Sequence, residues 1–186
     1  MNLIFRLIFV VMLRIFKTNR VDAFDKTTLS FRALPTDCDI YFHLTNSRYS
    51  SFNDIGRANF LAQVGALSKM LRRNLKFSVN ASEFTFIKSI PPLCKFTLET
   101  QLLGWDEKYM YFEHKFVSDK GLHCIAHARA VCHTAQGKQI HITELIGTSR
   151  YTDTPVLPQA VNKWKALLDV KREDSLMKSG SNSAAA

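Results

Sequence analysis

The sequence predicts an α+β fold in which one long helix packs against one antiparallel sheet. Three observations point there. Apolar residues recur at three- to five-residue steps from Tyr49 through Phe52, Ile55, Phe60, Val64 and Leu67 to Leu71, the spacing of one helical face. From residue 83 onward the pattern changes to period two, and its segments are joined by turns with no helix between them, which excludes a doubly wound parallel sheet. On residues 123–133, Cys124, Ala126, Ala128, Ala130 and Cys132 make one face uniformly small, so a strand is expected to lie close against another element there.

The elements follow in order. Residues 27–34 (TTLSFRAL) have strand composition, and Pro35 stops them. A helix is expected from Asn46, a favoured N-cap, and Gly56, Ala58, Ala62 and Gly65 keep it thin. Residues 83–87 read as a strand ended by Pro91-Pro92, and residues 95–103 as a second strand. Gly104–Lys108 reads as a turn, residues 109–117 as the return strand, and Asp119–Gly121 as the next turn. Residues 123–133 and 139–148 complete a sheet of five or six strands.

Extra helices are expected at both ends. The organisation read from the chain is an apolar and basic N-terminal helix over 1–20, a central domain over 24–150, a C-terminal helix over 155–178, and a disordered tail over 179–186. No internal repeat is visible. The N-terminal run MNLIFRLIFVVMLRIF is broken by Arg6 and Arg14, too short for a span of about 20 apolar residues, and no Ala-x-Ala cleavage site follows. It lies at a membrane interface with Arg6, Arg14, Lys17 and Arg20 on lipid phosphates, or docks on the protein's own body or on a second copy, with an uncleaved signal anchor as the minor alternative.

Composition narrows the function. At 186 residues, with 46% hydrophobic and 22% charged, the chain has the size and content of one globular domain, and general disorder is excluded. The net charge of +9 favours anionic partners. No basic-aromatic surface pattern or motif supports nucleic acid. Four cysteines without CxxC spacing read as reduced thiols in a cytoplasmic protein, and no metal site is expected. Cys38, between Asp37 and Asp39, is a poor nucleophile, because both carboxylates oppose the thiolate. His123, His127 and His133 share one strand face, but their spacing does not make a ligand set.

The chemistry-bearing stretch is residues 37–49, DCDIYFHLTNSRY, at a helix start. Free N–H groups of a first helical turn can hold a developing oxyanion. A carboxylate beside them can attack a carbonyl or activate water, and a histidine four residues on can orient the attack. The same residue types also serve turns and caps.

The pattern D-x-D-x-x-x-H-x-x-N-x-x-Y resembles the hotdog-fold acyl-thioesterases, in particular the 4-hydroxybenzoyl-CoA thioesterase-like branch that includes the thioesterase superfamily member 6 group and, more distantly, plant acyl-carrier-protein thioesterases. The stretch Leu103–Val117 (LGWDEKYMYFEHKFV) resembles the strand-turn-strand of that group. The resemblance spans roughly residues 27–148. It implies a long central helix wrapped by the sheet, a homodimer or a tetramer, and active sites at the subunit contact. It implies hydrolysis of an acyl-CoA or acyl-carrier-protein thioester with no cofactor beyond the coenzyme A of the substrate. Asp39 matches the acidic catalytic residue, His43 the plant-type histidine, and Asn46 and Tyr49 the helix-start positions expected to meet substrate. Tyr41 stands where the plant-type pattern has Asn.

Lys88 is a candidate for the phosphates of coenzyme A, as is the cluster Lys69, Arg72, Arg73 and Lys76, which reads equally as a solvated face. Arg57 is a candidate for substrate contact or for a buried carboxylate partner. The hydroxyacyl dehydratases of the same fold carry a His-Phe-Pro stretch before the helix, and this chain lacks it. A non-catalytic, membrane-associated acyl or lipid binder is the alternative.

Overall fold

The computed structural model describes residues 5–8, 10, 20–146 and 155–183. They fall into two compact units, Met1–Pro155 and Val156–Ala186. The first unit holds β1 (Thr27–Arg32), a 3-10 turn (Pro35–Asp37), α1 (Asn46–Gln63), α2 (Ala66–Arg72), β2 (Lys76–Phe86), β3 (Lys95–Trp105), β4 (Met110–Ser118), β5 (Gly121–His133), β6 (Gln139–Ile140) and α3 (Ile142–Ile146). The second is the helix α4 (Gln159–Ser183), which begins after Pro158 and runs past the end read from sequence at 178. Of the expected N-terminal helix, residues 5–8 and 10 are helical, and the remainder up to residue 19 lies outside the described residues.

The sheet is six-stranded and antiparallel, in the order β1-β3-β4-β5-β2, with β6 on β5. The segment expected to be one helix to Leu71 is two. Gly65 takes a left-handed φ of 78°, which ends α1 and starts α2 in a new direction. The N-cap is Thr45 rather than Asn46. The expected last strand over 139–148 is also corrected: it stops at Ile140, because His141 turns the chain. Its carbonyl accepts from Glu144 N–H and its Nδ1 pairs with the Thr143 hydroxyl.

The small face of β5 is fully buried, and Ala128, Ala130 and Cys132 share a core cluster with Phe60 and Leu61 of α1. Helix α1 comes closest to β3, where a β-carbon on Gly56 would meet Thr100 Oγ1 and Leu98 Cδ2. The β5 alanines lie between large residues of the flanking strands. Ala128 pairs with Phe112 and Ala126 with Phe84, while Cys124 stands between Phe116 and Phe86. Large beside small across a sheet is what lets the face pack flat.

Two apolar clusters result. One gathers Tyr49, Phe52, Ile55, Phe96, Leu98 and Phe116; the other gathers Phe60, Leu61, Leu102, Trp105 and Phe112. Between them in register lie Arg57, Thr100 and His114, all buried. Arg57 Nη1 donates to His114 Nε2 at 3.0 Å, which leaves the Nδ1 hydrogen to donate to Thr100 Oγ1, also at 3.0 Å. Burial, then Arg57, holds His114 well below the ordinary imidazole range, so it is neutral. Asp54 pairs with the Arg57 guanidinium from the same helix. Arg57, a candidate for substrate contact or for a carboxylate partner, thus pairs with a carboxylate and with His114.

The opposite face of the sheet carries a charged ladder. His127 Nδ1 meets Glu83 at 2.7 Å, His127 Nε2 meets Glu113 at 3.6 Å, and Lys115 meets Glu113 at 2.7 Å. His127, then Lys115, against some burial, hold Glu113 down at about 2, and Glu113 and Glu83 raise His127 above its ordinary value. Glu113 therefore adds stability above its unfolded value of about 4.5 and loses it as pH falls toward 2. His127 adds stability below its unfolded value of about 6.5 and loses it as pH rises through its raised folded value. Buried neutral His114 acts in the opposite sense below pH of about 6.5. The ladder is isolated as the difference between wild type and His127→Asn. That difference in melting temperature should be largest near pH 5–6 and, for half-exposed pairs, worth less than about 1 kcal/mol. A flat difference from pH 4 to 8 would remove the ladder as a source of stability.

Candidate active site

The loop from Asp37 to Thr45 is tied at its base. Cys38 and Leu44 form a β-bridge, Thr45 N–H donates to Asp37 O, and Leu44 N–H donates to Ile90 O at 2.8 Å. Within it Asp39 N–H donates to His43 O at 2.9 Å, and Phe42 turns the chain with a φ of 57°. The two carboxylates of this stretch have separate employments. Asp37 is fully buried: its Oδ2 accepts from Leu34 N–H at 3.1 Å and Arg6 Nη2 at 3.0 Å, and Arg48 Nε stands 3.6 Å from its Oδ1. Asp39 is exposed. Its Oδ1 accepts the N–H groups of Tyr41 at 3.0 Å and His43 at 3.3 Å, which fixes the side chain in an Asx turn.

Asp39 lines a cleft of about 220 Å³ with His43, Leu44, Asn46, Tyr49, Phe86, Ile87, Lys88 and Ser89. Five of the six candidate residues thus meet in one place, and Arg57 is the one elsewhere. The cleft opens at the start of α1, where the Thr45 side chain makes no capping hydrogen bond. Tyr49 forms its apolar wall, edge-on to Phe86 and Phe116 at ring distances of 5.0 and 4.7 Å. Burial, then Cys124 and Cys38, push the Tyr49 phenol upward, so it stays protonated. Lys88 Nζ reaches the Lys120 carbonyl at 3.4 Å across the neighbouring hairpin. Burial, then Asp37 and Asp39, raise the Cys38 thiol, in the direction read from its neighbours.

Sequence reasoning did not single out Leu44, Phe86, Ile87 or Ser89. The alternation Phe84, Phe86 was the available sign, since it extends one sheet face to the helix mouth. Ile40, Tyr41 and Phe42, three exposed apolar residues in a row, sit at the tip of the same loop. A larger open groove of about 1230 Å³, between β1, the 91–94 loop, the first half of β3 and the β4–β5 turn, contains none of the candidate residues.

A long helix against a curled antiparallel sheet is the hotdog architecture, shared with solved thioesterases. A DHNA-CoA thioesterase from Staphylococcus aureus superposes with a TM-score of 0.60 over 78% of this chain and 95% of its own, at 15% identity. The family model described as thioesterase-like superfamily matches residues 33–164, and this chain belongs to that family. A probable thioesterase of Saccharomyces cerevisiae is 33% identical over 55% of this chain, and the match spans 45% of the yeast protein. Protein THEM6 of Drosophila melanogaster is 28% identical over 90% of this chain and 85% of its own length.

Proposed function

We propose that this protein hydrolyses acyl-CoA thioesters to a free acid and a thiol, with Asp39 as general base or nucleophile. The observation that carries this reading is the convergence of Asp39, His43, Asn46, Tyr49 and Lys88 on one cleft at the start of α1. The Asx turn presents the Asp39 carboxylate in a fixed orientation, so little motion is lost when it takes a proton from the attacking water or itself attacks the carbonyl. First-turn N–H groups of α1 stabilise the oxyanion, aided by the helix dipole. His43 positions the water or the carbonyl. A thiol of pKa about 8.5 leaves readily near neutral pH, so no strong acid is needed at sulfur. Lys88 offers its ammonium to the phosphates of the carrier.

The working unit we propose is a dimer. β2 ends the strand order, with its outer edge unpaired among the described strands, and Phe86 and Ile87 beside it are 47% and 55% exposed. A second copy against this edge would complete the sheet and close the cleft. The part of the N-terminal segment near Arg6 packs on the protein's own body: Val10 is buried and Arg6 is paired with Asp37, which leaves that arginine unavailable to lipid phosphate. Among the described residues no helix is long and apolar enough to cross a membrane. Free-thiol release from short, long and aromatic acyl-CoAs tests the reading: the purified protein should release thiol from at least one class above the spontaneous rate. Binding of every acyl-CoA without release would replace it with acyl-CoA binding alone.

A further inference from the structure

We propose that Arg6 is a positioning residue for the cleft, acting through Asp37 on the loop that carries Asp39 and His43. The proposal rests on the hydrolytic reading above and names a residue far from it in sequence. Asp37 is a buried carboxylate on which three separate pieces of chain converge. Arg6 reaches it from the N-terminal segment at 3.0 Å, Leu34 N–H from the end of β1 at 3.1 Å, and Arg48 from the first turn of α1 at 3.6 Å. Arg48 also donates through Nη2 to the Thr36 carbonyl at 3.3 Å, which closes the ring. Asp37 lies two residues before Asp39, and its own carbonyl accepts the Thr45 N–H on the far side of the loop. Whatever holds Asp37 therefore holds both ends of the loop and its junction with α1.

The interaction is a built one. The Asp37 side chain has no exposed surface and the Arg6 side chain is 20% exposed. The guanidinium also lies 5.3 Å over the Phe52 ring, itself fully buried. Arg6 supplies the only side-chain hydrogen bond to Asp37 Oδ2 among the described residues, beside the Leu34 N–H. Take Arg6 away and the Asp37 carboxylate must turn outward or draw Arg48 toward it. Each of these shifts the base of the loop against the helix start, and displacements of about 1 Å at a site can cost on the order of a hundredfold in rate. The apolar residues around Arg6 serve the same end, since Leu7 and Val10 pack into the cluster containing Tyr49 and Phe52.

The test compares Arg6→Met, Arg6→Lys and Arg6→Met/Asp37→Asn in the full chain. The double variant removes both charges and so keeps a folded protein to measure if the single variant does not fold. Two readouts are taken: kcat and KM on the acyl-CoA the wild type hydrolyses, and the backbone amide resonances of Tyr41, His43 and Thr45. The expected result is kcat lower by about tenfold or more with KM within about twofold, partial recovery in Arg6→Lys, and shifted loop amides with β5 amides unchanged. Unchanged turnover, or loop resonances that stay in place, overturns the proposal. If the wild type releases no thiol, the hydrolytic reading fails by itself and the amide resonances alone decide whether Arg6 positions the loop.

Discussion

Asp39→Asn should lower thioester turnover by about a hundred- to ten-thousandfold, the range a positioned base or nucleophile supplies, while the fold stays intact. The structure says why the two effects separate. The loop uses one oxygen of Asp39, Oδ1, as acceptor for the Tyr41 and His43 N–H groups. An asparagine Oδ1 accepts the same two hydrogen bonds, so the Asx turn survives and the unfolding free energy should hold within about 0.5 kcal/mol of wild type. What disappears is the negative charge in the cleft, and with it the capacity to take a proton or attack a carbonyl. KM should move little, because the apolar wall and Lys88 are untouched. The neighbouring acid behaves otherwise: Asp37 is buried under Arg6, so its replacement is first a question of stability. Equal turnover by purified, folded Asp39→Asn would refute the assignment of this carboxylate to the chemistry.

The sheet and the site loop were legible in the sequence for different reasons. Period two from residue 95 to 133 reports a half-buried antiparallel ladder, and the observed strands β3, β4 and β5 follow it within two residues at each end. β2 was harder. Its burial along Lys76–Phe86 does not alternate cleanly, because its register with β5 slips between Val79 and Ala81. The site loop could be read because acid, histidine and helix start lie within a dozen residues of chain. What could not be read depends on residues far apart in sequence. Leu44 joins Ile90, Arg6 joins Asp37, and Lys88 joins the 118–121 turn only after the sheet has formed. The partner of Arg57 was hidden for a related reason. A lone arginine on a helix gives no sign of which face it occupies, and its partner His114 is decided by the register of β4 on β3.

Gly56→Ala should destabilise the protein although alanine is the better helix former. In an exposed helix the change would stabilise by about 1 kcal/mol. Here the added β-carbon falls inside the contact distance of Thr100 Oγ1 and 2.9 Å from Leu98 Cδ2. Leu98 can rotate its end away at small cost, but Thr100 Oγ1 is held by His114, and His114 by Arg57. To admit the methyl group, either the helix lifts from β3 or the Thr100–His114 hydrogen bond breaks. The second leaves a buried polar group unsatisfied, at about 1–3 kcal/mol. The net expectation is a loss of about 1–2 kcal/mol, or a melting temperature lower by about 2–8 °C for a chain of this length. Thr100→Ala provides the decisive comparison, because it removes the obstructing oxygen. In that background Gly56→Ala should cost clearly less, a coupling of about 1 kcal/mol in the double-mutant cycle. Strict additivity of the two changes would mean that α1 is not seated on β3 through Gly56.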